Sequence, residues 1–195
     1  MRYNLGTMDT HPLKQVDGED LDAFPIPLAL NDYCQMLLER IELLSTHITY
    51  MDDYLKAVTL EDPCFQYLLT IPGIGYILAL TIYYEVGAIE RFASARPFAS
   101  YGRLIPSLSQ SADKTRRGSG SKQGNHYLKW AFTQAANIAA RYDPPCRKFR
   151  DKQANRHSIP AATMVAHCIL VHKLATATFH ILKEEKPFEM KKLFA

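Results

Sequence analysis

Eight residues, Leu30, Cys34, Leu37, Ile41, Leu44, Ile48, Met51 and Leu55, follow one another at intervals of 4-3-4-3-4-3-4. An α-helix turns once in 3.6 residues, so this spacing lays all eight along one narrow seam. A strand alternates every second residue and has no use for such a pattern. The spacing predicts a long helix over residues 27–60. Its seam has two uses that the sequence leaves open: a coiled coil with another copy of the chain, or packing within an intramolecular helical hairpin.

The rest of the chain reads as helical too. Residues 1–26 are acidic and Pro-containing (VDGEDLDAFPIP) without helical period, which predicts a lead-in with little structure of its own. Asp62-Pro63 breaks the long helix. A short helix then runs over 64–70 into Ile71-Pro72-Gly73-Ile74-Gly75. A strongly apolar helix continues to Glu85 and stops at Gly87, and another short one covers Ser94 to Tyr101. Residues 105–120 (IPSLSQSADKTRRGSG) have no period and read as an exposed loop. Helicity returns at Asn125, with Leu128, Ala131, Phe132, Ala135, Ile138, Ala139 and Tyr142 on one stripe. Pro144-Pro145 ends that helix and a short basic one (CRKFRDKQANR) follows. Ser158 is a candidate cap for a last long helix, with Met164, Cys168, Val171, Ala175, Phe179 and Leu182 as its buried stripe. No run alternates with period two, so no strand is predicted. The expected fold is all-α: a lead-in (1–26), a coiled-coil-type helix (27–60) and a compact helical domain (63–195).

Charge is distributed unevenly. The overall +3 combines four basic against twelve acidic residues in 1–70 with eleven basic against three acidic in 111–160. A net of +8 over fifty residues points to a polyanionic partner as well as to a solvated face. Cysteines at 34, 64, 146 and 168 form no CxxC pair and read as reduced thiols. The N-terminus has no apolar core for a signal peptide, and the apolar stretch 74–84 is about half of the ~20 residues a membrane helix needs. A cytoplasmic protein without membrane attachment is expected.

Two constellations carry candidate chemistry. Gly73 and Gly75 allow a tight turn between helices, as in a helix-hairpin-helix element, where the N–H groups opening the second helix bind a phosphate. A purely structural turn uses the same residues. The second constellation is Lys114, Arg116, Arg117, Lys122, Asn125, His126 and Lys129. Cations at the start of a helix oppose its macrodipole, an arrangement that a bound phosphate reconciles. Ser107, Ser109 and Ser111 precede the arginines; a hydroxyl there is either a solvated loop group or a nucleophile activated by its surroundings. Tyr127, Trp130 and Phe132 suit base stacking and core packing equally. Cys168 and His172 share a helix face, but two ligands do not make a zinc site. Asp17, Glu19, Asp20 and Asp22 lack a hydrophobic strand to hold them at metal-ligand geometry.

Three stretches together, FQYLLTIPGIGYILALTIYYEVGAIERFAS, SYGRLIPSLSQSADKTRRGSGSKQGNHYLKWAFTQAANIAARYDP and AHCILVHKLATATFHILKEEKPFEMKKLF, resemble the C-terminal domain of a family of insertion-sequence transposases that includes pilin-gene-inverting recombinases. The resemblance runs from about Leu28 to the C-terminus and is densest over 65–142. It implies DNA strand exchange through a covalent serine–DNA link, with Ser111 in the serine's position and Ser109 as the alternative. It also implies a separate N-terminal RuvC-like half carrying four acidic ligands for Mg2+, and a structured bridge RNA that guides target choice. That nuclease half is expected to be missing here. The chain is then expected to bind no cofactor itself, to be inactive alone, and to work on double-stranded DNA as a homo-oligomer paired through residues 30–55. Two positions depart from the family pattern: Ala112 follows the serine where Gly or Asn is common, and the frequent Tyr-x-Gly-Leu turn reads Tyr101-Gly102-Arg103-Leu104. Without the resemblance, a non-catalytic nucleic-acid-binding module and a helical interaction protein remain open.

Overall fold

The computed structural model describes residues 27–105, 108–111, 114–117, 123–156 and 158–193, the stretches 108–111 and 114–117 by their backbone alone. The acidic lead-in 1–26, Ser107, Gly118, Gly120 and Lys122 lie outside the described residues. The chain divides into two units, Met1–Val58 and Thr59–Ala195.

Among the described residues the first unit holds one helix, α1 (Leu28–Thr59), 32 residues long. At 1.5 Å per residue it extends about 48 Å. Along the predicted seam Leu30, Leu37, Leu44, Ile48 and Met51 are exposed, and Cys34, Ile41 and Leu55 are half-buried.

In the second unit, Asp62 begins α2 (Pro63–Leu69): its Oδ1 accepts from the Cys64 N–H at 2.7 Å, and Pro63 opens the helix where no N–H is needed. The other carboxylate oxygen accepts the Tyr83 hydroxyl at 2.5 Å, tying α2 to α3 (Tyr76–Val86). That bond, helped by burial and by the negative charge of Asp62, pushes the Tyr83 hydroxyl up to about 12. Phe65 is fully buried, edge-on to the rings of Tyr76 and Tyr83. Gly87 stops α3 at φ +58, as read from the sequence. A 3-10 turn (Ile89–Arg91) then leads to α4 (Ala95–Tyr101).

Two short strands follow, β1 (Leu108–Ser111) and β2 (Lys114–Arg117), paired antiparallel with Leu108 opposite Arg117 and Ser111 opposite Lys114. The sequence reading of an exposed loop over 105–120, with no strand, is corrected here at residues 108–111 and 114–117. Apart from Leu108 the ribbon is polar, so it has no apolar face to alternate and period-two patterning was not available to mark it.

Four more helices complete the unit: α5 (His126–Tyr142), α6 (Pro144–Ala154), α7 (Ala162–Glu184) and α8 (Met190–Leu193). The described fold is all-helical apart from the ribbon, in line with the expected class. Central to it is α7, which packs on α2, α4, α5, α6 and α8. By length and composition alone it would be long and apolar enough to cross a membrane; half of that window is buried inside the unit, as suits a core helix. Phe98 of α4 meets Phe132 of α5 and Phe179 of α7, each at 6.0 Å between ring centres.

The buried stripes differ in part from those expected. On α5, Leu128, Ala131, Phe132, Ala135 and Ala139 are buried as predicted, joined by Ala136 and Ala140, whereas Ile138 and Tyr142 are exposed. Small residues let the neighbouring backbone approach closely, and the bulkier side chains fall outside that contact. On α7 the buried face runs through Ala166, Leu170, Leu174 and Thr178 as well as Val171, Ala175, Phe179 and Leu182. Met164 is 71% exposed and Cys168 is exposed. The helix starts at Ala162 after Ala161, so Ser158 is not its cap.

Candidate nucleic-acid interface

Gly73 has φ +81, in the range that favours glycine. A Cβ there would collide with the backbone of Ala135 and stand 2.8 Å from the Ala139 nitrogen. The turn therefore lies directly on α5, and its first glycine serves this close packing. Gly75 is different: its surroundings are open and it occupies the N-cap of α3 without a side chain to cap it. The N–H groups of the first turn have no helical acceptor. Beside them Ile77 is exposed.

A polar clamp holds the two stems of the segment between α4 and α5. The Asn125 N–H donates to the Tyr101 carbonyl at 2.7 Å, and Arg103 Nε donates to the Gly124 carbonyl at 2.7 Å. Gly124 has φ +110, and a Cβ would stand 2.5 Å from the Tyr101 carbonyl oxygen. Arg103 itself has φ +56. Position 103 thus occupies the left-handed region, which explains why glycine suits this turn; the guanidinium bond to Gly124 compensates the arginine found here.

Asn125 does several jobs at once. Its Oδ1 accepts from the Leu128 N–H at 2.9 Å, capping α5, while Nδ2 donates to Glu85 Oε2 at 2.5 Å and to the Tyr101 hydroxyl at 3.4 Å. The bond from Asn125, and then the Arg91 guanidinium, hold the Tyr101 hydroxyl below its ordinary value. Arg91 lies over the rings of Phe92 and Tyr101, 4.5 Å from each centre. Glu85 and Arg91 were not among the sequence's candidate site residues, and Tyr101 and Arg103 entered only as members of a variant turn. Glu85 meets Asn125 across forty residues, a distance at which no local pattern operates.

The predicted cations fall into two places. His126 and Lys129 are exposed on the first turn of α5, next to Tyr127 and Trp130, which are 53% and 46% exposed. Phe132, by contrast, is fully buried. The structure thereby divides the three aromatics that the sequence could not: one belongs to the core and two are available for stacking. The His126 and Tyr127 rings lie 3.9 Å apart.

Lys114, Arg116 and Arg117 are on β2, opposite the strand that carries the serines. Ser109 is paired with Arg116 and Ser111 with Lys114. Since positions two apart share a face of a pleated ribbon, these four positions lie on one face. Cys168 is exposed and His172 half-buried, held below its ordinary value by burial and then by Lys173. Among the described residues no group of three or more His, Cys, Asp or Glu is gathered that could hold a metal ion.

The turn, the clamp, the ribbon and the first turn of α5 all fall within one stretch of chain that is similar to known proteins. Residues 65–151 match the transposase IS116/IS110/IS902 family. Three relatives agree. The chain is 31% identical over 113 residues to the transposase for insertion sequence element IS1111A of Coxiella burnetii, covering 58% of this chain and 30% of that protein. It is 28% identical over 154 residues to the transposase for insertion sequence element IS1328 of Yersinia enterocolitica, covering 75% and 45%. A "Probable family 20 transposase" of Pseudomonas aeruginosa is 26% identical over 117 residues, covering 60% and 35%. These matches support the transposase family for this chain, which spans 30–45% of the length of these relatives.

Proposed function

We propose that this chain is the DNA-binding and strand-exchange part of an insertion-sequence transposase, with Ser111 as nucleophile and Ser109 as the alternative. The observation that carries the reading is the ribbon register: within the family-matched stretch, each serine position faces a cation position. In the reaction, the serine oxygen attacks a DNA phosphorus and forms a serine–phosphodiester bond. The displaced strand leaves with the serine proton as a free hydroxyl. Attack by a hydroxyl of another strand reverses the exchange and restores the serine. Nearby cations favour the charge that develops on the phosphoryl oxygens.

The open N-terminus of α3 after Gly75, with His126, Lys129 and the β2 cations, holds backbone phosphates; Tyr127 and Trp130 supply stacking surface. The Gly73–Gly75 turn is then the hairpin of a helix-hairpin-helix element. Such contacts set position and leave base choice to another reader, for which a structured guide RNA is the proposed source. Chains pair through the exposed seam of α1, and the protein acts in the cytoplasm. The RuvC-like half implied by the resemblance would supply four acidic ligands for Mg2+; among the described residues no comparable group is gathered.

A second reading, a nucleic-acid-binding module without chemistry, is favoured by the exposed face of Tyr127 and Trp130, which needs no serine. Ser111→Ala separates the two. Paired with the nuclease half, the variant should lose strand joining while keeping its affinity for duplex DNA. Strand joining at the unsubstituted rate would remove Ser111 from the nucleophile's role.

A further inference from the structure

A second basic surface lies on α6 and α7, outside the constellations considered so far. Of the cations on α6, two are engaged by the protein itself. Arg147 donates to the carbonyls of Ala140 and Arg141, closing the end of α5, and Arg150 pairs with Asp151 at 2.7 Å. Asp143 is likewise occupied, capping α6 through the Cys146 N–H at 2.8 Å. Lys148 and Lys152 of α6, Arg156 just beyond its end and Lys173 of α7 line one groove of about 560 Å³; Arg156 Nη1 also donates to the neutral Gln153 Oε1 at 3.4 Å. No carboxylate lines it. Lys148 and Lys152 are four residues apart on α6, about 6 Å along its axis, and Arg156 follows four residues later, past the helix end. Lys152 and Arg156 also suit the negative end of the α6 dipole, but that does not account for Lys148 or for Lys173 on another helix.

We propose that this groove is a second binding site for the phosphodiester backbone of duplex DNA, distinct from the ribbon and the first turn of α5. Four cations without a carboxylate concentrate positive potential, which suits a run of backbone phosphates. A stacking platform for single strands needs a series of exposed rings, and the groove offers one, the half-buried Phe149. Backbone contact to a duplex needs none. The helix α5, 17 residues and about 25 Å long, separates the His126–Lys129 turn from the start of α6. A duplex engaged at both would be covered over about two thirds of a turn or more.

The test is the salt dependence of binding by the full chain to a mixed-sequence duplex, compared with a single strand of equal length. The triple variant Lys148→Gln, Lys152→Gln, Lys173→Gln changes only exposed or half-buried side chains. It should lower the slope of log K against log salt by about three for the duplex. The Lys→Arg triple variant should keep the original slope. An unchanged slope in the Gln variant, while Arg116→Gln with Arg117→Gln lowers it, overturns the groove and leaves the proposed function standing. The opposite pattern keeps the groove and overturns the ribbon surface. A loss confined to the single strand overturns the assignment to duplex DNA.

Discussion

The long helix α1 and the central helix α7 are the two strongest apolar patterns in the chain, and they end in opposite environments. On α1 the heptad seam is regular over its whole length, yet Ile48 remains 61% exposed. On α7 the spacing is less regular, and Leu170, Leu174, Ala175 and Thr178 are all fully buried. Regularity reports how many partners a helix is built to meet. A strict seam fits one straight partner, whereas α7 meets helices from several directions and needs a broad, irregular apolar surface. Among the described residues the apolar seam of α1 is largely exposed, whereas that of α7 is taken up by the fold.

The contrast is broken most directly by truncating one side chain in each region. Phe132→Ala should destabilise the compact unit by about 3–5 kcal/mol in a denaturant titration, because the ring is fully enclosed against Phe98. Ile48→Ala should leave that transition within about 0.5 kcal/mol, and should instead weaken any concentration-dependent self-association seen by sedimentation. A large loss of folding stability from Ile48→Ala would mean that the two patterns do the same work.

Gly73→Ala comes next, at about 2–4 kcal/mol, since it combines a left-handed backbone with a collision against α5. Gly75→Ala at an open position is the matched control and should cost much less. Asn125→Ala should cost about 1 kcal/mol for the lost cap. Asn125→Asp keeps the cap and sets a carboxylate against Glu85, so a larger loss at pH 7 than at pH 4 would report that repulsion. The smallest effect is expected at Tyr83. Its hydroxyl is raised from 10.0 to about 12 in the folded chain, so its bond to Asp62 contributes fully below pH 10 and is lost as pH rises toward 12. Tyr83→Phe should flatten the fall in thermal midpoint over that window.

Much of the helical frame was legible because its punctuation is chemical and local. Asp62-Pro63, Gly87, Asn125 and Pro144 end or begin helices for reasons carried by each residue alone, and the observed boundaries agree within a residue or two. The faces were read less well. Met164 and Cys168 continue the α7 stripe by spacing, but the start of the helix buries its neighbouring face instead, through Ala166 and Leu170. At the candidate site the visible parts were the glycines and the cations. The hidden parts were those made by long-range meetings: Glu85 against Asn125, Gly73 against α5, and the pairing of a serine strand with a basic one. On the basic helix α6, the internal partners of Arg147 and Arg150 are likewise contacts that residue spacing does not reveal.

The clamp that joins Tyr101 to Asn125 and Arg103 to Gly124 makes the chain on either side of the ribbon a fixed socket. With the ends held there, lengthening the insert is cheap, since each doubling of a closed loop costs only about 0.6 kcal/mol. The 104–123 segment is thus the place where ribbons of other lengths and charges can be grafted without rebuilding the helices beneath. Descendants of one scaffold can diverge in what they grip while folding by the same rules.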